Sequence, residues 1–255
     1  MRTRFLRGST AENNGLTLGE GELSIDSEKH ALRLHDGVTP GGFEMVGTQA
    51  VEKPPGPSSL LAGDNITGWY GEVDSLDLID GSALSTELGI SEGTILADAG
   101  WLKFAYENKT LYVAKNPVRD SISWDVINSS GAVYGETTIT LGSFTYKVRL
   151  LRGADTDPTD VTNWTTDPVG THNSEWNRLI YKVSNEIPSS QVGGNWADYS
   201  NSALGTGSYV NWTQETPNSA SSSRVVRAYS SGIDGFGYNP STSLYAWRPV
   251  LELIE

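Results

Sequence analysis

The stretch "GEGELSIDSEKHALRLHDGVTPGG", Gly19 to Gly42, decides how this chain begins. Leu23 and Ile25 alternate with polar neighbours, Leu32 and Leu34 do the same, and Ser27-Glu28-Lys29 lies between the two runs. Alternation at period two marks half-buried strands. Asp36-Gly37 and Thr39-Pro40-Gly41-Gly42 are turn formers that close the unit. The pattern predicts a β-hairpin within a small module covering residues 1–47. That length is near the ~40 residues below which an isolated fold needs disulfides, a metal or oligomerisation. The chain contains no cysteine, and metal ligands are sparse in this segment. Oligomerisation is therefore expected, with Leu23, Ile25, Leu32 and Leu34 as contact residues.

Outward from this module, Pro54, Pro55 and Pro57 sit in "GTQAVEKPPGPSSLLAGDN". Prolines fix φ and remove donors, so residues 48–64 read as an extended linker. Residues 65–255 read as one mixed domain. A short helix is expected with Asp80 or Ser82 as its cap and Gly89 at its end, and another carrying Trp124 and Ile127. Residues 109–115 read as a strand, and 137–151 as a hairpin turning at Gly142-Ser143. The clearest helix is "SEWNRLIYKVSNEIP", with Trp176, Leu179, Ile180, Val183 and Ile187 on one face, Ser174 as cap and Pro188 as stop. Residues 189–223 show little periodicity, and strands are expected at 224–229 and 247–254.

Of the 255 residues, 37% are apolar and 19% charged, with 28 glycines, 8 tryptophans and 11 tyrosines. Many turns with few charges point to a β-rich α+β protein. The net charge of −13 argues against nucleic acid or an anionic membrane as partner. The first residues, "MRTRFLRGSTAENNG", lack the apolar run of about 7–15 residues of a secretory signal. No segment approaches the ~20 apolar residues of a membrane-spanning helix. Neither secretion nor membrane insertion is expected.

Candidate chemistry is thin. His30 and His35 read as solvated strand positions and His172 as a cap-region residue, and no nucleophile elbow is expected among the serines. Asp155, Asp157 and Asp160 in "DTDPTD" are the weak metal candidates, although the EF-hand glycine and distal glutamate are missing. No phosphate loop is present, and no cofactor is expected. The notable composition lies near the C-terminus. Trp196, Tyr199, Tyr209, Trp212, Phe236, Tyr238, Asn239 and Tyr245 lie among glycine, serine and asparagine. Rigid aromatics beside adaptable small polar residues are typical of recognition loops. Trp196, Trp212 and Trp247 also suit core packing, whereas Phe236 and Tyr238 in "IDGFGYNPS" suit a loop tip.

With these residues in view, "RFLRGSTAENNG…GEGELSID…LRLHDGVTPGG" resembles the module that opens bacteriophage tail-fibre and receptor-binding proteins, in particular the phage tropism determinants. The resemblance implies a small three-stranded unit that trimerises as a β-prism. "GWLKFAYENKTLYVAKNPVRDSISWDVI", "YKVRLLRGA", "SEWNRLIY" and the terminal "AWRPVLEL" resemble the C-type-lectin-like domains of phage virion proteins. The Glu-Pro-Asn, Gln-Pro-Asp and Trp-Asn-Asp motifs of calcium-dependent sugar binders are missing, so calcium-mediated sugar recognition is not implied. What the resemblance implies is a non-catalytic virion protein at a tail fibre or tip, made in the host cytoplasm. It would be a homotrimer that meets other virion proteins and a host-surface receptor, glycan or protein. The alternatives are a structural head, neck or baseplate fibre, and a surface-polysaccharide depolymerase, although no β-helical repeat is visible.

Overall fold

The structure, a computed structural model, describes residues 6–45, 52–160, 174–186, 194–228, 239–241 and 244–254. The chain divides into two compact units, Met1–Lys53 and Pro54–Glu255.

In the first unit, β1 (Leu6–Gly8) leads into α1 (Thr10–Asn14), followed by β2 (Leu23–Asp26), β3 (Ala31–Leu34) and β4 (Phe43–Met45). Ser9 and Glu12 close a reciprocal capping box at the start of α1. The sheet runs β1-β2-β3-β4, with β1 parallel to β2 and the other pairs antiparallel. The expected hairpin is β2–β3, pairing Leu23 with Leu34 and Ile25 with Leu32. A fourth strand and a helix go beyond the three strands implied by the resemblance. Gly42 has φ +56, and a β-carbon there would meet the Leu34 carbonyl oxygen at 2.6 Å, so β4 can approach β3 only through glycine.

The faces of this sheet are inverted. Ser24, Asp26, Arg33 and His35 are buried together with Asn13. Arg33 Nη2 donates to Asp26 Oδ2 at 3.0 Å, and its Nη1 donates to Asn14 Oδ1 and to the Gly41 carbonyl. Thr10 Oγ1 donates to Asp26 Oδ1, and Ser24 Oγ lies 2.9 Å from His35 Nε2. His35 is thus an interior residue, not the solvated one expected, because α1 and the Gly41 turn supply a polar lining. On the opposite face Leu23, Ile25 and Leu32 are half-buried, while Leu34, Phe43 and Met45 are 41%, 55% and 49% exposed.

The second unit contains two sheets. Its strands are β5 (Ala62–Gly63), β6 (Thr67–Val73), β7 (Thr94–Ile95), β8 (Trp101–Tyr106), β9 (Lys109–Ala114), β10 (Arg119–Ile122), β11 (Tyr134–Leu141), β12 (Phe144–Leu150), β13 (Asn211–Trp212), β14 (Val226–Arg227), β15 (Tyr245–Trp247) and β16 (Pro249–Ile254). The larger sheet runs β11-β12-β16-β9-β8-β6-β5 and the smaller β14-β13-β15-β10-β7. Both expected short helices form: α2 (Gly81–Glu87) starts at Asp80, one of its two expected caps, and α3 (Trp124–Ser129) is capped by Ser123. The third, α4, opens with a π turn, Trp176–Ile180, and continues as α-helix over Tyr181–Val183. It stops at Ser184, which turns extended and bridges to Tyr199. The helix expected to reach Pro188 therefore ends early, and Ile187 and Pro188 lie outside the described residues.

The larger sheet separates two cores. Trp101, Tyr112, Tyr146, Val148, Leu150 and Leu251 pack on one side with Trp124, Trp212 and Trp247. Leu102, Phe104, Leu111, Val113 and Val250 pack on the other with Trp176, Leu179 and Tyr181 of α4. A sheet covered on both faces needs apolar residues at successive positions, and β8 is buried throughout. The segment expected as a linker over 48–64 differs in its second half. The Pro55 carbonyl accepts hydrogen bonds from Lys103 Nζ at 2.8 Å and Tyr112 Oη at 2.9 Å, and β5 pairs with β6. Residues 54–64 are thereby part of the larger unit. Among the described residues, no helix is long and apolar enough to cross a membrane.

Candidate functional site

The aromatic residues singled out near the C-terminus divide between the two cores. Trp212 is 1% exposed, its Nε1 donates to the Ile122 carbonyl at 2.8 Å, and its ring meets Tyr245 edge-on at 4.8 Å. It is a core residue and cannot contact a receptor. Tyr245 is half-buried against it, and Trp247 is fully buried. On the other side, Trp196 and Tyr199 are half-buried against the cluster beneath α4. The Lys182 ammonium stands 5.2 Å from the Trp196 ring, and the Lys115 ammonium 4.5 Å from that of Tyr199. Burial, with hydrogen bonding to Glu72, pushes the Tyr199 hydroxyl well above its ordinary pKa. Tyr209 is half-buried, and exposed Asn239 accepts hydrogen bonds from the amide and hydroxyl of Ser241. Phe236, Tyr238 and His172 lie outside the described residues.

Asp155, Asp157 and Asp160 are exposed, and Asp157 Oδ1 accepts from the Thr216 amide at 2.8 Å. Among the described residues, no group of three His, Cys, Asp or Glu side chains is placed to hold a metal ion. The sequence does contain a G-x-S-x-G spacing, Gly89-Ile90-Ser91-Glu92-Gly93, which the expectation of no nucleophile elbow overlooks. It follows α2 and enters β7, the reverse of the strand-to-helix turn that such a nucleophile needs. Ser91 is instead an exposed turn residue whose carbonyl accepts from Arg119 Nη2.

The most developed polar site is one that the sequence reading missed. Arg149 on β12 lies between Glu175, at the start of α4, and Glu252 on β16. Arg149 Nη1 and Nη2 donate to the two Glu175 oxygens and its Nε to Glu252 Oε2, all at 2.7–2.8 Å. Lys109 Nζ donates to Glu252 Oε1 at 2.7 Å. The amide of Arg152 donates to Glu175 Oε2, and the Arg152 guanidinium stands 5.3 Å from the Tyr106 ring and pairs with Glu107. These groups, with Tyr134 and Gln214, line a cleft of about 190 Å³. Burial opposes the charge on Arg149, but the two carboxylates outweigh it and hold its pKa above the ordinary value. Burial likewise raises Glu252, yet Lys109 and Arg149 bring it below the usual carboxylate range. The available signal was charge in otherwise apolar strands: Arg149 in "YKVRLL" and Glu252 in "PVLELI".

No family model and no curated protein matches the chain. Among solved structures, it is similar to the P3c variant of the Major Tropism Determinant at 13% identity, covering 98% of this chain and 99% of that one, with a TM-score of 0.27. The M1 variant gives 12% identity, the same coverage and a TM-score of 0.27. The similarity is weak. At these TM-scores no shared fold follows from it.

Proposed function

We propose that this chain is a non-catalytic virion protein of a tailed bacteriophage: a homotrimeric fibre or tip protein that binds a receptor on the host surface. In this reading the small unit joins three chains as a β-prism. The larger, lectin-like unit displays Tyr209, Asn239 and their neighbours, with Phe236 and Tyr238, to a glycan or surface protein. The observation that carries it is the inverted small unit, with a charged interior and an outward face of Leu23, Ile25, Leu32, Leu34, Phe43 and Met45. A contiguous apolar face of this kind marks an interaction surface. The occupant proposed is the same face of further copies, since every chain presents it and the segment resembles a phage trimerisation module.

Three linked sites strengthen attachment without new contacts, by on the order of 10²–10⁴-fold where the geometry lets them engage together. The test is binding of the fluorescently labelled full chain to a panel of bacterial strains, beside a Phe236→Ala/Tyr238→Ala double variant. Saturable binding of the wild type to at least one strain, lost in the double variant, is expected. Failure of the wild type to bind any strain would point to a structural place in the particle.

A further inference from the structure

We infer that the cleft formed by Arg149, Glu175, Glu252, Lys109, Arg152 and Tyr134 is a binding site for one uncharged sugar ring. Its volume of about 190 Å³ has room for a single ring and is too small to seat a protein surface. Three cationic side chains, Lys109, Arg149 and Arg152, and three anionic ones, Glu107, Glu175 and Glu252, line it. Their charges already answer one another, so neither an anionic nor a cationic ligand gains a counter-charge there. A neutral ligand rich in hydroxyls fits, because each hydroxyl both donates and accepts.

The hydrogen-bond accounting leaves capacity for such a ligand. Lys109 gives one of its three N–H groups to Glu252. Arg152 gives Nη2 to the exposed Glu107, and its Nη1 has no partner among the described residues. Gln214 gives Nε2 to the Leu150 carbonyl, which leaves its Oε1 to accept. Beneath these, the buried Arg149–Glu175 pair fixes the floor. A polar site whose groups hold one another in place costs little to order when the ligand arrives. Tyr134 supplies the apolar wall: it is 45% exposed, braced edge-on by Trp124 at 6.1 Å, and anchored by its hydroxyl on the Gln214 carbonyl. The electron-rich face of such a ring attracts the polarised C–H face of a pyranose.

The receptor-binding reading supplies the biological setting, a surface glycan, but the site stands on its own geometry and can be tested separately. Saturation-transfer NMR of the full chain is run with the methyl glycosides of glucose, galactose, N-acetylglucosamine and rhamnose, and with methyl glucuronide as a charged control. Transfer to at least one neutral glycoside is expected, weakened about tenfold or more by Tyr134→Ala and by Arg152→Ala, the loss of roughly one good contact. Lys109→Ala, at a solvent-facing side chain, is a third probe, and an unchanged thermal midpoint shows each variant folded. No transfer to any neutral glycoside from folded wild type overturns the inference. So does transfer unchanged in all three variants, or tighter binding of the glucuronide. Cell binding that survives all three substitutions removes the cleft and leaves the attachment reading standing. Sugar binding without cell binding does the reverse.

Discussion

Arg149 and Glu175 form a two-pronged ion pair, Nη1 to Oε2 and Nη2 to Oε1, each at 2.7 Å, with Glu175 only 1% exposed. Removing Glu175 takes away two of the three carboxylate contacts of the buried Arg149 and leaves it only Glu252. Glu175→Leu is expected to cost about 3–5 kcal/mol, seen as a lower urea midpoint at unchanged slope. The Arg149→Met/Glu175→Leu double variant is expected to recover part of that loss. A single variant that unfolds at the wild-type midpoint would show that the pair contributes nothing.

Glu215 gives a pH dependence with a definite sign. It is 2% exposed, and burial pushes its pKa from the ordinary 4.5 up to about 7, although the Gly153 amide donates to both its oxygens. Between these values the folded chain holds the proton more tightly than the unfolded one. Stability from this group is therefore fully present below pH 4.5 and declines as pH rises through 7. The decline is on the order of 3 kcal/mol. Unfolding in urea between pH 5 and 8 should show it, and Glu215→Gln should flatten it. An equal slope in the variant would assign the effect elsewhere.

The exposed apolar face predicts association that one charge can abolish. In the proposed assembly, wild type sediments as an oligomer at micromolar concentration, and Leu34→Glu or Phe43→Glu is expected to sediment as a monomer. The buried polar face is untouched by either change, so the circular dichroism of the larger unit should stay as in the wild type. A monomeric wild type would remove the assembly part of the proposal.

Trp212 distinguishes core from recognition surface. Trp212→Ala is expected to cost about 3–5 kcal/mol, because it empties a fully enclosed site and orphans the Ile122 carbonyl. Thermal denaturation reads this directly. A small shift in midpoint, together with a change in cell binding, would return Trp212 to the recognition surface.

Much of the larger unit was legible because its signals are local. Asp80 and Ser123 accept hydrogen bonds from amides three residues on, and the β11–β12 turn falls at Gly142-Ser143 as expected. The charged cleft was not legible. Arg149 finds Glu175 and Glu252 at separations of 26 and 103 residues, and a charged residue in a strand ordinarily reads as solvent-facing. In the small unit, period two told which residues share a face but not which face lies inside. That choice was made by Thr10, which donates to Asp26, by Asn14 and the Gly41 carbonyl, which accept from Arg33, and by Asn13, which donates to the Ile25 carbonyl. The aromatic residues after Gly194 were legible as a group, but period and composition do not separate Trp212 in the core from Tyr209 near the surface.

The inverted hairpin also sets a condition on errors. A one-residue slip of β2 along β3 would turn every side chain of the slipped strand over. Ile25 would then enter the pocket that holds Asp26, and Asp26 would stand among the leucines without Arg33 or Thr10 to meet its charge. A slipped chain would be unstable, because Asp26 would lose the partners that satisfy its charge. The outward apolar face therefore depends on register, since a slip removes Leu23 and Ile25 from it and puts a carboxylate in their place.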